Sequence, residues 1–271
     1  MRKLCYIGEI NDYSDKWLIN SLLKEYAVET ILPQQWDRIE TTQADLWINR
    51  LYLSSVERFG FDIISALRDK LRLLSPVINS DEGWKLESDR IYQHKFFTKK
   101  GFDYIPTHAV KNNNINNQEL FPLVIKKNTS GRNKILPVFN NIDDLKNYIQ
   151  NAMTDQLVIQ PLINEKICYR TEFVGRYSWT YRQYIKIDSS GLSFTKDSTT
   201  INHPANFYFY QNISELLRNM YIKCFSIEYF MYEDKISIVD FNMTSNYPET
   251  FINKIGPKLL TAWKEIIQNE I

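Results

Sequence analysis

The chain has 271 residues, of which 44% are hydrophobic and 24% charged, an ordinary globular composition with room for one large domain or two compact ones. Its net charge is +1, with Lys and Arg spread along the chain, which leaves no electrostatic footprint for nucleic acid. No stretch approaches membrane-span length, residues 1–8 are too short in their apolar part for a signal peptide, and three unclustered cysteines (Cys5, Cys168, Cys224) argue against a disulfide framework or a zinc site. Buried free thiols in a reducing cytoplasm are the expectation.

In chain order, residues 4–8 read as a buried strand, and Leu18, Ile19, Leu22, Leu23 and Tyr26 fall on one helical face. Strands follow at 28–32 and 45–49. A helix then carries Ile63, Ile64, Leu67, Leu71 and Leu74 on its apolar side, and a short strand lies at 76–79. This alternation implies a small, largely parallel sheet ending near Asn79. Residues 88–100 read as a helix closed by Gly101, and 104–108 as an extended segment that Pro106 confines to a sheet edge. Residues 111–119 form a polar loop. Strands at 123–127 and 135–139 flank a Ser130-Gly131 turn, before an amphipathic helix from Ile142 to Ala152 capped by Asn140 or Asn141. The remainder is strand-rich, at 157–160, 168–175, 178–187, 225–231 and 235–242. One helix surrounds Ile213 to Met220, and a last one carries Leu259, Leu260, Trp263, Ile266 and Ile267. Residues 188–206 carry no readable motif.

Three features carry chemistry. Asp240 and Asn242 are two apart in a strand and share a face, and a hairpin through residues 233–235 can bring Glu228 to them. Two carboxylates and an amide oxygen are hard ligands of the kind Mg²⁺ takes together with phosphate. A solvated strand face is the plain alternative. Lys126 ends an apolar strand before a small turn, where an ammonium and backbone N–H groups can hold phosphate; an ordinary solvated lysine fits equally. Arg170 and Arg182, both in strand-like runs, can clamp a phosphate or carboxylate, or form surface ion pairs.

The order of these pieces resembles the ATP-grasp superfamily, in the branch holding glutathione synthetase, D-alanine–D-alanine ligase and glutamate ligases. The resemblance covers residues 76–250. It runs through the strand at Pro76, Ser88-Asp89-Arg90 for a helix-opening "D-K", and Gly101 to Thr107 for "G-x-x-x-P-x-T". Pro122 to Lys126 then matches "P-x-V-x-K", with Thr129 to Arg132 as the small-residue loop. Val158 to Ile163 matches the strand lining an adenine pocket. Arg170 with Val174-Gly175, then Arg182, precede Glu228 and Asp240-Phe241-Asn242.

That resemblance implies an α+β fold, with two subdomains at 81–155 and 156–271 clamping ATP behind an N-terminal α/β unit at 1–80. It implies nucleotide contacts from Arg90, Lys126, Ser130, Gly131, Gln160, Pro161, Leu162 and Ile163, and Mg²⁺ ligands at Glu228, Asp240 and Asn242. Arg182, supported by Arg170, would stabilise an acylphosphate and its tetrahedral successor. The implied function is an ATP- and Mg²⁺-dependent carboxylate–amine ligase acting on a small-molecule or peptide substrate with an amine acceptor. Four departures stand out: Arg90 for the usual lysine, a Glu/Asp exchange at 228 and 240, a glycine-poor loop after Lys126, and a longer segment at 243–248. Two rivals stay open: a non-catalytic binding module, motivated by the departures at Arg90 and the loop, and a small-molecule kinase of the inositol-phosphate type, which Asp240-Phe241-Asn242 with Tyr247-Pro248 resembles. Near-neutral charge counts against the kinase. Oligomeric state stays open, with a homodimer as one option because dimers are common in the superfamily.

Overall fold

The computed structural model describes residues 1–110, 121–129, 135–150, 156–201, 207–232 and 235–271. The expected loop at 111–119, the Ser130-Gly131 turn and the hairpin tip at 233–234 lie outside the described residues.

The first sheet holds β1 (Lys3–Gly8), β2 (Ala27–Ile31), β3 (Leu46–Arg50) and β4 (Val77–Ile78) in the order β2-β1-β3-β4, all parallel. Buried on both faces, β1 and β3 are near-continuous apolar runs. Leu4, Tyr6 and Ile48 pack with α1 (Tyr13–Leu22) on one face. Cys5, Ile7 and Trp47 pack with α3 (Phe61–Leu71) on the other. A 3-10 helix (Pro33–Glu40) and the short α2 (Ser55–Phe59) complete this region.

Next come α4 (Asp81–Glu87), a helix the periodicity did not reveal, and α5 (Arg90–Lys99). A four-stranded antiparallel sheet holds β5 (His108–Ala109), β6 (Leu123–Lys127), β8 (Val138–Phe139) and β9 (Leu157–Pro161) in the order β5-β9-β6-β8. The expected strand at 135–139 splits. β7 (Ile135–Leu136) joins a different sheet from β8, and Pro137 between them has no N–H to keep one ladder going. α6 (Ile142–Gln150) follows, with Asn141 Oδ1 accepting from the Asp144 N–H at 2.9 Å as its cap.

The largest sheet is antiparallel: β14 (Lys235–Asn242), β13 (Cys224–Tyr232), β10 (Ile167–Val174), β11 (Tyr177–Asp188), β12 (Gly191–Ile201) and β7, in that order. β12 lies within residues 188–206, where no motif is readable. It pairs with β11 nearly end to end but with β7 over only two residues. Gly191 starts it at φ 124°, where a Cβ would meet the Leu136 carbonyl oxygen at 2.4 Å.

α7 (Phe207–Arg218) covers one face of this sheet, placing Ile213 and Leu217 on Phe173, Phe225 and Ile227. α8 (Glu249–Glu270) covers part of the other, with Phe251, Trp263 and Ile266 against Val174, Tyr181 and Cys224. The same helix meets Leu4 and Tyr6 of the first sheet, so two hydrophobic clusters run from the N-terminal region into the large sheet. Truncating one ring there, such as Phe97 at 0% exposure, costs roughly 3–5 kcal/mol.

Candidate active site

Residues alternate along a strand, and register decides which meet across strands. Glu228 lies opposite both Asp240 and Arg170, and Arg170 lies opposite Tyr181. A bulge at Glu228/Tyr229 leaves Val239 as the extra residue and turns the strand locally. One row therefore reads Asp240, Glu228, Arg170, Tyr181, and the next reads Asn242, Ser226, Glu172, Trp179. The expected ligands Glu228, Asp240 and Asn242 share one face.

Each carboxylate is held by an arginine. Arg170 Nη1 donates to Glu228 Oε1 at 2.8 Å, and Arg90 Nη2 donates to Asp240 Oδ2 at 3.2 Å. Burial would push the Glu228 carboxyl up, but the charge and hydrogen bond of Arg170, helped by Gln183 and Lys126, pull it below its usual range.

Arg90 arrives there because Asp89 caps α5, its Oδ1 accepting from the N–H groups of Ile91 and Tyr92 at 2.9 Å each. Gln93, one turn on, docks the helix on the outer edge of β14. It donates to the Phe241 carbonyl at 3.3 Å and accepts from the Phe241 N–H at 3.2 Å and the Tyr104 hydroxyl at 2.7 Å. Arg90 Nη1 also donates to the Lys127 carbonyl at 2.8 Å, tying α5 to the end of β6. Lys126 belongs electrostatically to the same group: burial lowers its ammonium pKa, and Asp240 and Glu228 only partly restore it against Arg90.

Lys126 also opens the cleft between the two antiparallel sheets. That cleft is lined by Lys126, Gln160, Pro161, Leu162 and Ile163 on one side and by Leu192, Phe194, Phe230 and Val239 on the other. Its free volume is about 30 Å³, far below the ~300–1,000 Å³ of a ligand pocket, so the sheets stand closed on one another. Gln160 spends its amide on Thr107 Oγ1 at 2.8 Å. A larger cleft of about 380 Å³ lies where β4 begins, among Leu71, Arg72, Pro76, Asp81, Tyr221 and Glu270, and contains no member of the cluster.

The expectation for Arg182 is not met geometrically. It pairs with Tyr169 while its neighbour Tyr181 faces Arg170, so Arg182 points to the α7 side of the sheet. Ser130 and Gly131 lie outside the described residues. Sequence reasoning missed two buried acids. Glu172 accepts from Arg170 Nε at 2.7 Å and from the Tyr181 hydroxyl at 3.2 Å. Glu87, at the end of α4, accepts from the Met243 N–H at 3.0 Å, and burial beside Asp240 pushes it up to about 8 despite that bond and the nearby Arg90 and Arg170. An acid two residues from Arg170, on the same strand face, was the available signal for Glu172. Glu87 had none.

The donor set suits Mg²⁺. Among the described residues no group of three His, Cys, Asp or Glu side chains gathers on one point, but two carboxylates with an amide oxygen leave positions for water and phosphate, as that ion prefers. The thiols are buried and free, and burial pushes all three up, away from reactivity. No described helix is long and apolar enough to cross a membrane.

No family model matches the sequence, and no curated protein matches it. Solved structures do. D-alanine–D-alanine ligase from Bacillus anthracis superposes with a TM-score of 0.66 at 16% identity, over 98% of this chain and 96% of that one. The ATP-grasp ligase PsnB, complexed with a minimal precursor, gives 0.70 at 11% over 98% and 99%. The macrocyclase MdnC from Microcystis aeruginosa, bound with precursor peptide MdnA, gives 0.67 at 12% over 98% and 99%. Near-complete coverage of both partners establishes the ATP-grasp fold for this chain.

Proposed function

We propose that this ATP-grasp chain is an ATP- and Mg²⁺-dependent carboxylate–amine ligase. The observation that carries the reading is the in-register row Asp240, Glu228, Arg170, closed from above by Arg90 and Lys126 at the mouth of the inter-sheet cleft. Residues 81–155 and 156–271 are the two halves of the clamp, and residues 1–80 flank the acceptor side.

Residues 160–163 meet adenine largely through backbone, once the four-stranded sheet lifts from the large one. Lys126 and Arg90 hold phosphate oxygens. Ser130 and Gly131, outside the described residues, would add backbone N–H groups to the phosphates. Glu228, Asp240 and Asn242 would hold Mg²⁺, which supplies charge neutralisation across the phosphates. A substrate carboxylate oxygen attacks the γ-phosphorus and ADP leaves. The amine nitrogen then attacks the acyl carbon, phosphate leaves, and the amine gives up a proton. Arg170, rather than Arg182, is the cation placed to offset charge on the acylphosphate and on the tetrahedral species after it. The protein contributes position and electrostatics. The complexes of PsnB and MdnC with precursor peptides favour a peptide substrate over a free amino acid.

The test is incubation with ATP, Mg²⁺ and panels of carboxylates, amines and peptides. Amine-dependent ADP release with an amide product is expected. A phosphorylated product formed without amine would replace the reading with a kinase, and nucleotide binding without turnover would replace it with a binding module.

A further inference from the structure

Three buried polar atoms in one row have no hydrogen-bond partner: Asn242 Nδ2, Ser226 Oγ and Glu172 Oε2. They lie side by side across β14, β13 and β10, because Asn242 is in register with Ser226 and Ser226 with Glu172. Ser226 and Glu172 are fully buried, at 0% exposure each. Their chemistry is complementary. An amide nitrogen donates, a hydroxyl both accepts and donates, and a carboxylate oxygen accepts. Donors and acceptors in that order can be joined from Asn242 to Ser226 to Glu172, directly or through a water.

The other oxygen of Glu172 is already committed, to Arg170 Nε at 2.7 Å. We propose that Glu172 is a positioning residue that joins the metal ligand Asn242 to the reacting cation Arg170 through one hydrogen-bonded chain, a proposal that rests on the ligase reading above. Two consequences follow from the donors and acceptors. Committing Asn242 Nδ2 to Ser226 turns Oδ1 toward the Asp240 row, where a hard cation takes it. Committing Arg170 Nε to Glu172 keeps the guanidinium in place when Glu228 gives its oxygen to Mg²⁺, which frees Nη1 for the acylphosphate. The row of Asp240, Glu228 and Arg170 does the chemistry, and the row beneath it sets the orientation.

The test compares Ser226→Ala and Glu172→Gln with the wild-type chain by calorimetric titration, reading Mg²⁺ affinity of the ADP complex and, separately, ADP affinity without metal. Ser226→Ala removes one hydroxyl and leaves the Arg170 pair intact, so it answers even if Glu172→Gln folds poorly. Both variants should lose about 10- to 100-fold in Mg²⁺ affinity, the usual cost of removing an outer-sphere partner, with metal-free ADP affinity unchanged. The double variant should lose no more than the worse single one, as members of one chain do. Asp240→Asn serves as the reference for a lost ligand. If Asp240→Asn loses Mg²⁺ affinity while Ser226→Ala and Glu172→Gln stay within about twofold of wild type, the positioning role is overturned and the ligase reading stands. If the wild-type chain shows no Mg²⁺-dependent gain in ADP affinity, both are overturned.

Discussion

Two buried arginine–carboxylate clusters sit about the segment 243–248, and they are built for different ends. In the first, Arg50 is 2% exposed and Asp15 0%. Arg50 donates to Asp15 at 3.0 Å, to Ser14 at 3.0 Å, to Tyr52 at 3.2 Å and to the Ser245 carbonyl at 2.7 Å, with the Tyr247 ring 5.4 Å away. In the second, Arg90 with Asp240 and Arg170 with Glu228 keep their carboxylates 14% and 17% exposed, while Glu172, also paired to Arg170, is fully buried. The first cluster is closed, and its ion pair is a folding element. The second leaves two carboxylates partly accessible, as the proposed ligand site requires. Burial of the arginine does not distinguish the two. Whether the facing acids are sealed or partly accessible does.

The strongest way to break this contrast is Arg50→Ala. It strands Asp15 as an unpaired buried charge, so stability should fall by about 3–5 kcal/mol in urea unfolding. A small loss would put Arg50 with the binding charges instead. Arg170→Ala should lower turnover by roughly 10²- to 10³-fold as loss of a charge-stabilising donor does, and it should also cost stability, because it leaves the buried Glu172 without its ion-pair partner. Steady-state rates on the substrate found by the panel would measure it.

Glu87 sharpens the contrast through pH. Its folded pKa of about 8 stands above the ordinary 4.5, so between those values the native state binds the proton that the unfolded chain has lost. Stability from this group therefore declines as pH rises from about 4.5 to about 8. Glu87→Gln keeps an acceptor for the Met243 N–H and removes that decline. The variant should melt with wild type near pH 5 and above it near pH 8, in thermal scans across the range. The smallest effect belongs to the exposed pair Lys127–Glu57 at 3.6 Å, both half in solvent. Glu57→Gln should change stability by less than ~1 kcal/mol, measured by the same scans.

Much of the layout was legible in the residues. The apolar runs of β1 and β3, the Gly101 stop at φ 84° and the shared face of Asp240 and Asn242 all follow from local rules. The opposite facing of Arg170 and Arg182 has a local cause. Both arginines looked equivalent because each sits in a strand, but the turn at Gly175-Arg176 puts Val174 opposite Tyr177, and counting back pairs Arg170 with Tyr181. One more residue in that turn would have brought Arg182 to the working face. Arg50 is sealed by α8 and the 243–248 segment, which come some 195 residues later.

By itself the sequence determined the kind and order of most elements, α4, β12 and the split of β7 from β8 excepted, since periodicity, caps and turn residues act within a few positions. It also determined which types of side chain were on offer for phosphate and metal. Only the tertiary structure decided who meets whom. Strand register set Glu228 between Asp240 and Arg170, the dock of Gln93 on β14 brought Arg90 to Asp240, and burial recruited Glu87 and Glu172. Those outcomes depend on contacts between residues far apart in the chain, and no local pattern encodes them.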